Sequence, residues 1–197
     1  MTFEWSIRGK SDERSGRRKG LGVFLDGALL FCALTFGLFI RFGVYESMMV
    51  VSGSMEPAMP VGACFLVDHR SSLHGEWQRG DVVLFDTPPG TQWAAGGDYV
   101  KRIIALPGDT IELRAGQVIL NGRPLAEPYL KETPDPETQR PRQIPPGRYF
   151  VMGDNRNDSE DSRYNGTVDD GSIRGKMVLQ YWPLADFGVM RRPHYSR

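Results

Sequence analysis

The chain has 197 residues, with 24 basic and 24 acidic side chains and a formal net charge of zero. That length fits one ordinary domain with an appendage, and 40% hydrophobic with 11% aromatic content is enough for a packed core, which excludes global disorder. The even charge balance argues against a nucleic-acid footprint; two cysteines and three histidines (His69, His74, His194) argue against a disulfide scaffold or a metal centre, so neither metal nor cofactor is expected.

In chain order, residues 1–20 come first. They carry Arg8, Lys10, Arg14, Arg17, Arg18 and Lys19 against Glu4, Asp12 and Glu13. An apolar window follows, residues 21–45. Its uninterrupted part, Gly27–Ile40, has 14 residues, a length that also suits a core helix or the apolar region of a cleaved signal peptide. As a helix the whole window would be roughly 37 Å long, enough to cross a bilayer. Asp26 and Arg41 would then sit near the two interfaces, where side chains can snorkel. A cleaved signal peptide needs small residues just past the run, and Arg41-Phe42-Gly43-Val44-Tyr45-Glu46 offers no such site. The reading is a basic cytoplasmic tail (1–20), one transmembrane anchor (21–45) and an extracytoplasmic domain (46–197) oriented by the positive-inside rule. This puts the chain in the cytoplasmic membrane with a periplasmic outer domain. Cys32 in the span and Cys64 beyond it should not meet, and both read as small apolar residues.

Beyond the anchor, apolar runs predict strands at Ala63–Val67, Val82–Phe85, Tyr99–Leu106, Thr110–Leu113, Val118–Leu120, Tyr149–Met152 and Met177–Trp182. Turns rich in Gly and Pro separate most of them, and Asn121-Gly122 is a hairpin signal. The fold class is therefore mainly β, an antiparallel domain behind one N-terminal transmembrane helix. Residues 128–147 contain six prolines among charges and read as an exposed excursion.

Four clusters can carry chemistry. Ser52-Gly53-Ser54-Met55-Glu56-Pro57 is a constrained turn that can present a hydroxyl beside a free backbone N–H, as a nucleophile requires; alone it also reads as a polar loop. Asp98–Asp109 is a strand in which Tyr99, Lys101 and Ile103 share a face. A lysine bracketed by apolar neighbours loses charge and can act as a general base; the competing readings leave Lys101 solvated with Arg102 inward, or both solvated. Gly153–Tyr164 is dense in turn formers and charges. Arg156 falls where a calcium loop needs Asp or Asn, and no glycine follows at the required place, which leaves a solvated acidic loop as the other reading. Arg79–Phe85 reads as a structural turn entering a buried strand.

Together and in this order, these segments resemble type I signal peptidases, the membrane-anchored Ser–Lys proteases of the secretory pathway. The resemblance rests on S-G-S-M-x-P at Ser52–Pro57, R-G-D-V-V at Arg79–Val83, Y-V-K-R at Tyr99–Arg102 with L-P-G-D at Leu106–Asp109, and G-D-N-R…S-x-D-S-R at Gly153–Arg163. It covers about residues 45–183, including the tail pieces Arg163-Tyr164 and Tyr181–Pro183. It implies Ser54 as nucleophile and Lys101 as general base. It also implies Ser52 as an oxyanion donor with the Ser54 N–H, and Ser159 as a serine that orients the lysine. Asp161 and Arg163 would form an ion pair behind the site. Val50, Met55, Tyr99 and Val100 would wall shallow pockets for small side chains. The partners implied are signal-peptide-bearing preproteins cleaved at A-x-A-type sites, and the lipid bilayer. Departures occur at Ala58, where Thr is more usual, and at Asn165–Val168, where an aromatic residue and prolines are common. A dedicated pilin- or conjugation-associated peptidase with the same dyad, and a non-catalytic anchored β-domain, are the competing readings.

Overall fold

The computed structural model describes residues 26–35, 37, 44–75, 77–87, 93, 97–193 and 195. The chain divides into two units, Met1–Val44 and Tyr45–Arg197. In the first, residues 26–35 and 37 are helical and exposed, with Leu29, Leu30, Phe31 and Leu34 presenting apolar surface. The expected cytoplasmic tail (1–20) and residues 21–25, 36 and 38–43 of the expected anchor lie outside the described residues. Among the described residues no helix is long and apolar enough to cross a membrane. Tyr45, taken as the last residue of the apolar window, instead opens a strand and pairs with Asp68.

The second unit is antiparallel β throughout. Its larger sheet runs in the order β1 (Tyr45–Met49), β2 (Cys64–Asp68), β11 (Ile173–Trp182), β3 (Val82–Thr87), β4 (Gly97–Ala105), β9 (Arg148–Met152), β10 (Val168–Asp169), with β12 (Gly188–Val189) added alongside β11. A smaller sheet is ordered β7 (Arg123–Pro124), β6 (Gln117–Leu120), β5 (Thr110–Arg114), β8 (Gln139–Gln143). The short helices Arg70–His74 and Ser162–Asn165 join strands.

The central strands are continuous apolar runs because both of their faces are covered. On β3, Val83 and Phe85 pack with Trp77, Ile103 and Val151, while Val82 and Leu84 pack with Met55, Met59, Phe65 and Met177. On β9, Tyr149 and Val151 face the first group, whereas Phe150 and Met152 meet Ile104, Ile111, Leu113 and Ile144. That last group ties the small sheet to the large one. At the Asn121-Gly122 turn both residues adopt positive φ, 51° and 80°, as a two-residue hairpin requires, and it joins β6 to β7.

The expected excursion is only partly that. Within residues 128–147, Gln139–Gln143 forms β8 and pairs with β5, and Ile144 is fully buried. Pro141 is tolerated because β8 is an edge strand, where a missing N–H costs no ladder bond. The Arg142 guanidinium lies over the Phe150 ring, 4.5 Å from its centroid, so this charged segment covers apolar surface.

Candidate active site

β1 and β2 form a hairpin whose long connection carries the Ser54 turn. Backbone bonds from Val50 N to Ala63 O and from Gly62 N to Val50 O close its neck. Inside it, Gly53–Met55 makes one 3-10 turn with Ser52 as N-cap, and the Ser52 hydroxyl accepts from Ser54 N at 3.3 Å. The cap leaves Ser54 only 9% exposed.

Lys101 arrives from β4, opposite Val83 on β3. Its side chain is buried, and Nζ is hydrogen-bonded to Ser54 Oγ at 2.7 Å. Burial pushes the ammonium below the ordinary lysine value of 10.5; the Asp161, Asp158 and Glu160 carboxylates oppose that shift and Arg163 adds to it. Neither competing reading holds, lysine solvated with arginine inward or both solvated, because both side chains are buried. Arg102 turns away to a paired site of its own, with Nε and Nη2 on the two Asp154 oxygens at 2.8 and 2.5 Å and Nη1 on Gly80 O at 2.8 Å.

The expected ion pair forms: Arg163 Nε and Nη2 lie 2.8 and 3.0 Å from the two oxygens of Asp161. Asp161 Oδ2 also accepts from Gly153 N at 3.0 Å and from Ser159 Oγ at 2.9 Å. Ser159 thus bonds to Asp161, and among the described contacts it has none to Lys101. An ideal Cβ on Gly153 would collide with Ser159 Oγ and lie 2.5 Å from Ser54 O, so only glycine lets this segment reach the Ser54 turn. Met59 N bonds to Met55 O across the turn that contains Ala58, so the backbone there closes without the usual threonine.

A groove of about 880 Å³ opens over Ser54 and Lys101, and Val50, Met55, Tyr99 and Val100 all line it. Tyr99 is held by Phe85 and Trp93, with ring centroids 5.7 and 5.1 Å away. The groove therefore combines an apolar floor with a hydroxyl and an amine in bonding contact, an arrangement suited to acyl transfer.

The pattern of the family described as "Signal peptidase, peptidase S26" matches residues 25–182, which takes in the four motif clusters above. The chain belongs to this family. "Probable signal peptidase I-1" of Synechocystis sp. is 37% identical over 165 residues, covering 82% of this chain and 84% of its own length. "Signal peptidase I U" of Bacillus subtilis is 33% identical over 189 residues, covering 89% and 94%. A crystal structure of a signal peptidase I from Enterococcus faecalis, 35% identical, covers 51% of this chain and 96% of its own, with a TM-score of 0.43. The chain is thus a signal peptidase enzyme, a hydrolase of the S26 kind. Within Gly153–Arg163 the resemblance implies roles for Ser159, Asp161 and Arg163 and none for Gly153, Asp154 or Asn155. Their signal was the unbroken G-D-N-R string.

Proposed function

We propose that this peptidase is a membrane-anchored endopeptidase that removes signal peptides from exported preproteins after small residues, with Ser54 as nucleophile and Lys101 as general base. The 2.7 Å contact between Lys101 Nζ and Ser54 Oγ carries this reading. A buried lysine short of its proton can accept the hydroxyl proton as Ser54 attacks the scissile carbonyl. The carbonyl oxygen gains charge as the tetrahedral intermediate forms. The Ser54 N–H and the Ser52 hydroxyl, already in contact with each other at 3.3 Å, are the donors at hand to receive it. The lysine then passes its proton to the leaving amine, and water activated by the same amine releases the acyl group. The Val50, Met55, Tyr99 and Val100 lining accepts small apolar side chains and gives no partner to charged ones.

Anchoring is supported by the basic N-terminal flank, the apolar window that follows it, and the exposed apolar helix at residues 26–35. The outer unit also carries apolar residues in the open at one end of its larger sheet. Met49 and Trp182 both stand opposite Cys64 and are exposed, and Val51 and Val61 are exposed beside them. Apolar surface of this kind fits a lipid interface.

The test is incubation of the detergent-solubilised full chain with a panel of preproteins, followed by sequencing of the new N-termini. Cleavage of many preproteins after small residues is expected, abolished in Ser54→Ala. Cleavage of a single preprotein would mark a dedicated peptidase. No cleavage, with no labelling by serine-directed acylating inhibitors, would leave an anchored domain without this chemistry.

A further inference from the structure

We propose that Asn155 is a positioning residue that grips the peptide groups on either side of Ser54 and so aims the Ser54 N–H into the groove. The inference rests on the reading of that N–H as an oxyanion donor. Two hydrogen bonds carry it. Asn155 Nδ2 donates to Gly53 O at 3.0 Å, and Asn155 N donates to Ser54 O at 3.1 Å.

The first bond acts at a distance of one peptide plane. Gly53 C=O and Ser54 N–H belong to the same planar trans peptide group and point in opposite directions. Whatever fixes the carbonyl therefore fixes the N–H. The second bond holds the following plane in the same way, so Ser54 cannot rotate about either flank without breaking a contact to Asn155. Gly53 O also accepts from Glu56 N at 3.1 Å, and at the other end of the plane Ser54 N rests on Ser52 Oγ at 3.3 Å, itself part of the groove lining; the side chain of Asn155 adds a hold on the carbonyl end that keeps the N–H directed there.

The grip is worth having only if its own base is rigid, and it is. Asp154 is locked to Arg102, Arg156 Nη2 lies 2.5 Å from Glu127, and Gly153 packs on Ser54 O. Asn155 itself is buried, and the orientation of its amide is chemically fixed because Gly53 O can only accept. Its Oδ1 is buried and meets no donor among the described residues. A buried oxygen without a donor costs stability, so an amide here is not the choice of packing alone.

The experiment compares Asn155→Ala and Asn155→Asp with wild type in the full, detergent-solubilised chain, measuring kcat and KM across pH with thermal melting alongside. Asn155→Ala is expected to lower the plateau kcat about 10- to 100-fold, with KM within about twofold and the pH midpoint unmoved. Asn155→Asp keeps the shape but sets a carboxylate against Gly53 O, and its plateau should fall at least as far. Adding Ser52→Ala to Asn155→Ala should cost less than the product of the two single losses, since both act on the same oxygen. A folded Asn155→Ala with the wild-type plateau overturns the proposal. So does a loss that appears as a shifted pH midpoint, because Asn155 would then act through Lys101. If Asn155→Ala does not fold, Asn155→Asp decides; if neither folds, the residue belongs to the fold and the proposal falls. Activity in Ser54→Ala would instead sink the underlying reading, whatever Asn155 does.

Discussion

Lys101 can accept a proton only if it does not already hold one, and burial among strands shifts it toward the neutral amine before any substrate arrives. The rate should therefore rise with pH through a midpoint below the ordinary lysine value of 10.5, and kcat/KM measured from acid to alkaline pH checks it. The same shift has a cost in stability. Unfolded, Lys101 takes up its proton at the ordinary value; folded, it does so only at lower pH. Between the two the unfolded chain binds more protons, so stability rises with pH across that window and is lowest below the folded value. Lys101→Met should accordingly be inactive yet melt higher than wild type at neutral pH, the difference vanishing above about 10.5. Lys101→Ala and Ser54→Ala should each abolish cleavage, and the double variant should be no worse than either, since the two act as one unit. Ser52→Ala, which removes a donor to the developing oxyanion, should lower kcat about 10²- to 10³-fold with little change in KM. Ser52→Thr keeps the hydroxyl and should retain more activity.

At the scale of the element, β4 sets the arrangement, because successive side chains leave a strand on opposite faces. Lys101 goes to Ser54 and Arg102 goes to Asp154, two adjacent basic side chains with separate partners. Both members of the Arg102–Asp154 pair are almost fully buried, so removing one strands the other's charge. Arg102→Ala or Asp154→Ala should cost about 3–5 kcal/mol in denaturant unfolding, and the paired apolar replacement Arg102→Met with Asp154→Leu should recover much of it. Val82–Phe85 was legible as a strand because an apolar run between turns has few other uses. Tyr45–Met49 was not, since its apolar character continues that of the preceding window and only its pairing with Cys64–Asp68 sets it apart. Gln139–Gln143 was hidden for the opposite reason: an edge strand needs no apolar alternation, and its proline and two arginines read as loop. At the site, the strand pattern alone could not choose which cation turned inward. The motif string singled out Lys101, and the contact to Ser54 shows where its amine goes. The G-D-N-R string marks Asn155, but its contact to Gly53 joins segments a hundred residues apart, so its partner is not recorded in any local pattern.

The whole molecule places its chemistry on the unit that follows the apolar window. If residues 1–20 are cytoplasmic, as the proposed orientation requires, a protease added outside spheroplasts should digest the chain beyond Tyr45 and spare the N-terminal segment; the reverse protection would overturn the orientation. One more consequence comes from the neighbouring lysine and arginine of β4. If that strand paired with β3 one position out of step, every side chain would change faces, and arginine would meet the serine in place of lysine. A guanidinium holds its proton at any physiological pH and cannot serve as a base. The buried carboxylate of Asp154 would at the same moment lose its fork of donors. A misaligned chain would thus be catalytically silent as well as strained, so turnover counts only correctly aligned molecules, and specific activity is itself an assay of folding fidelity.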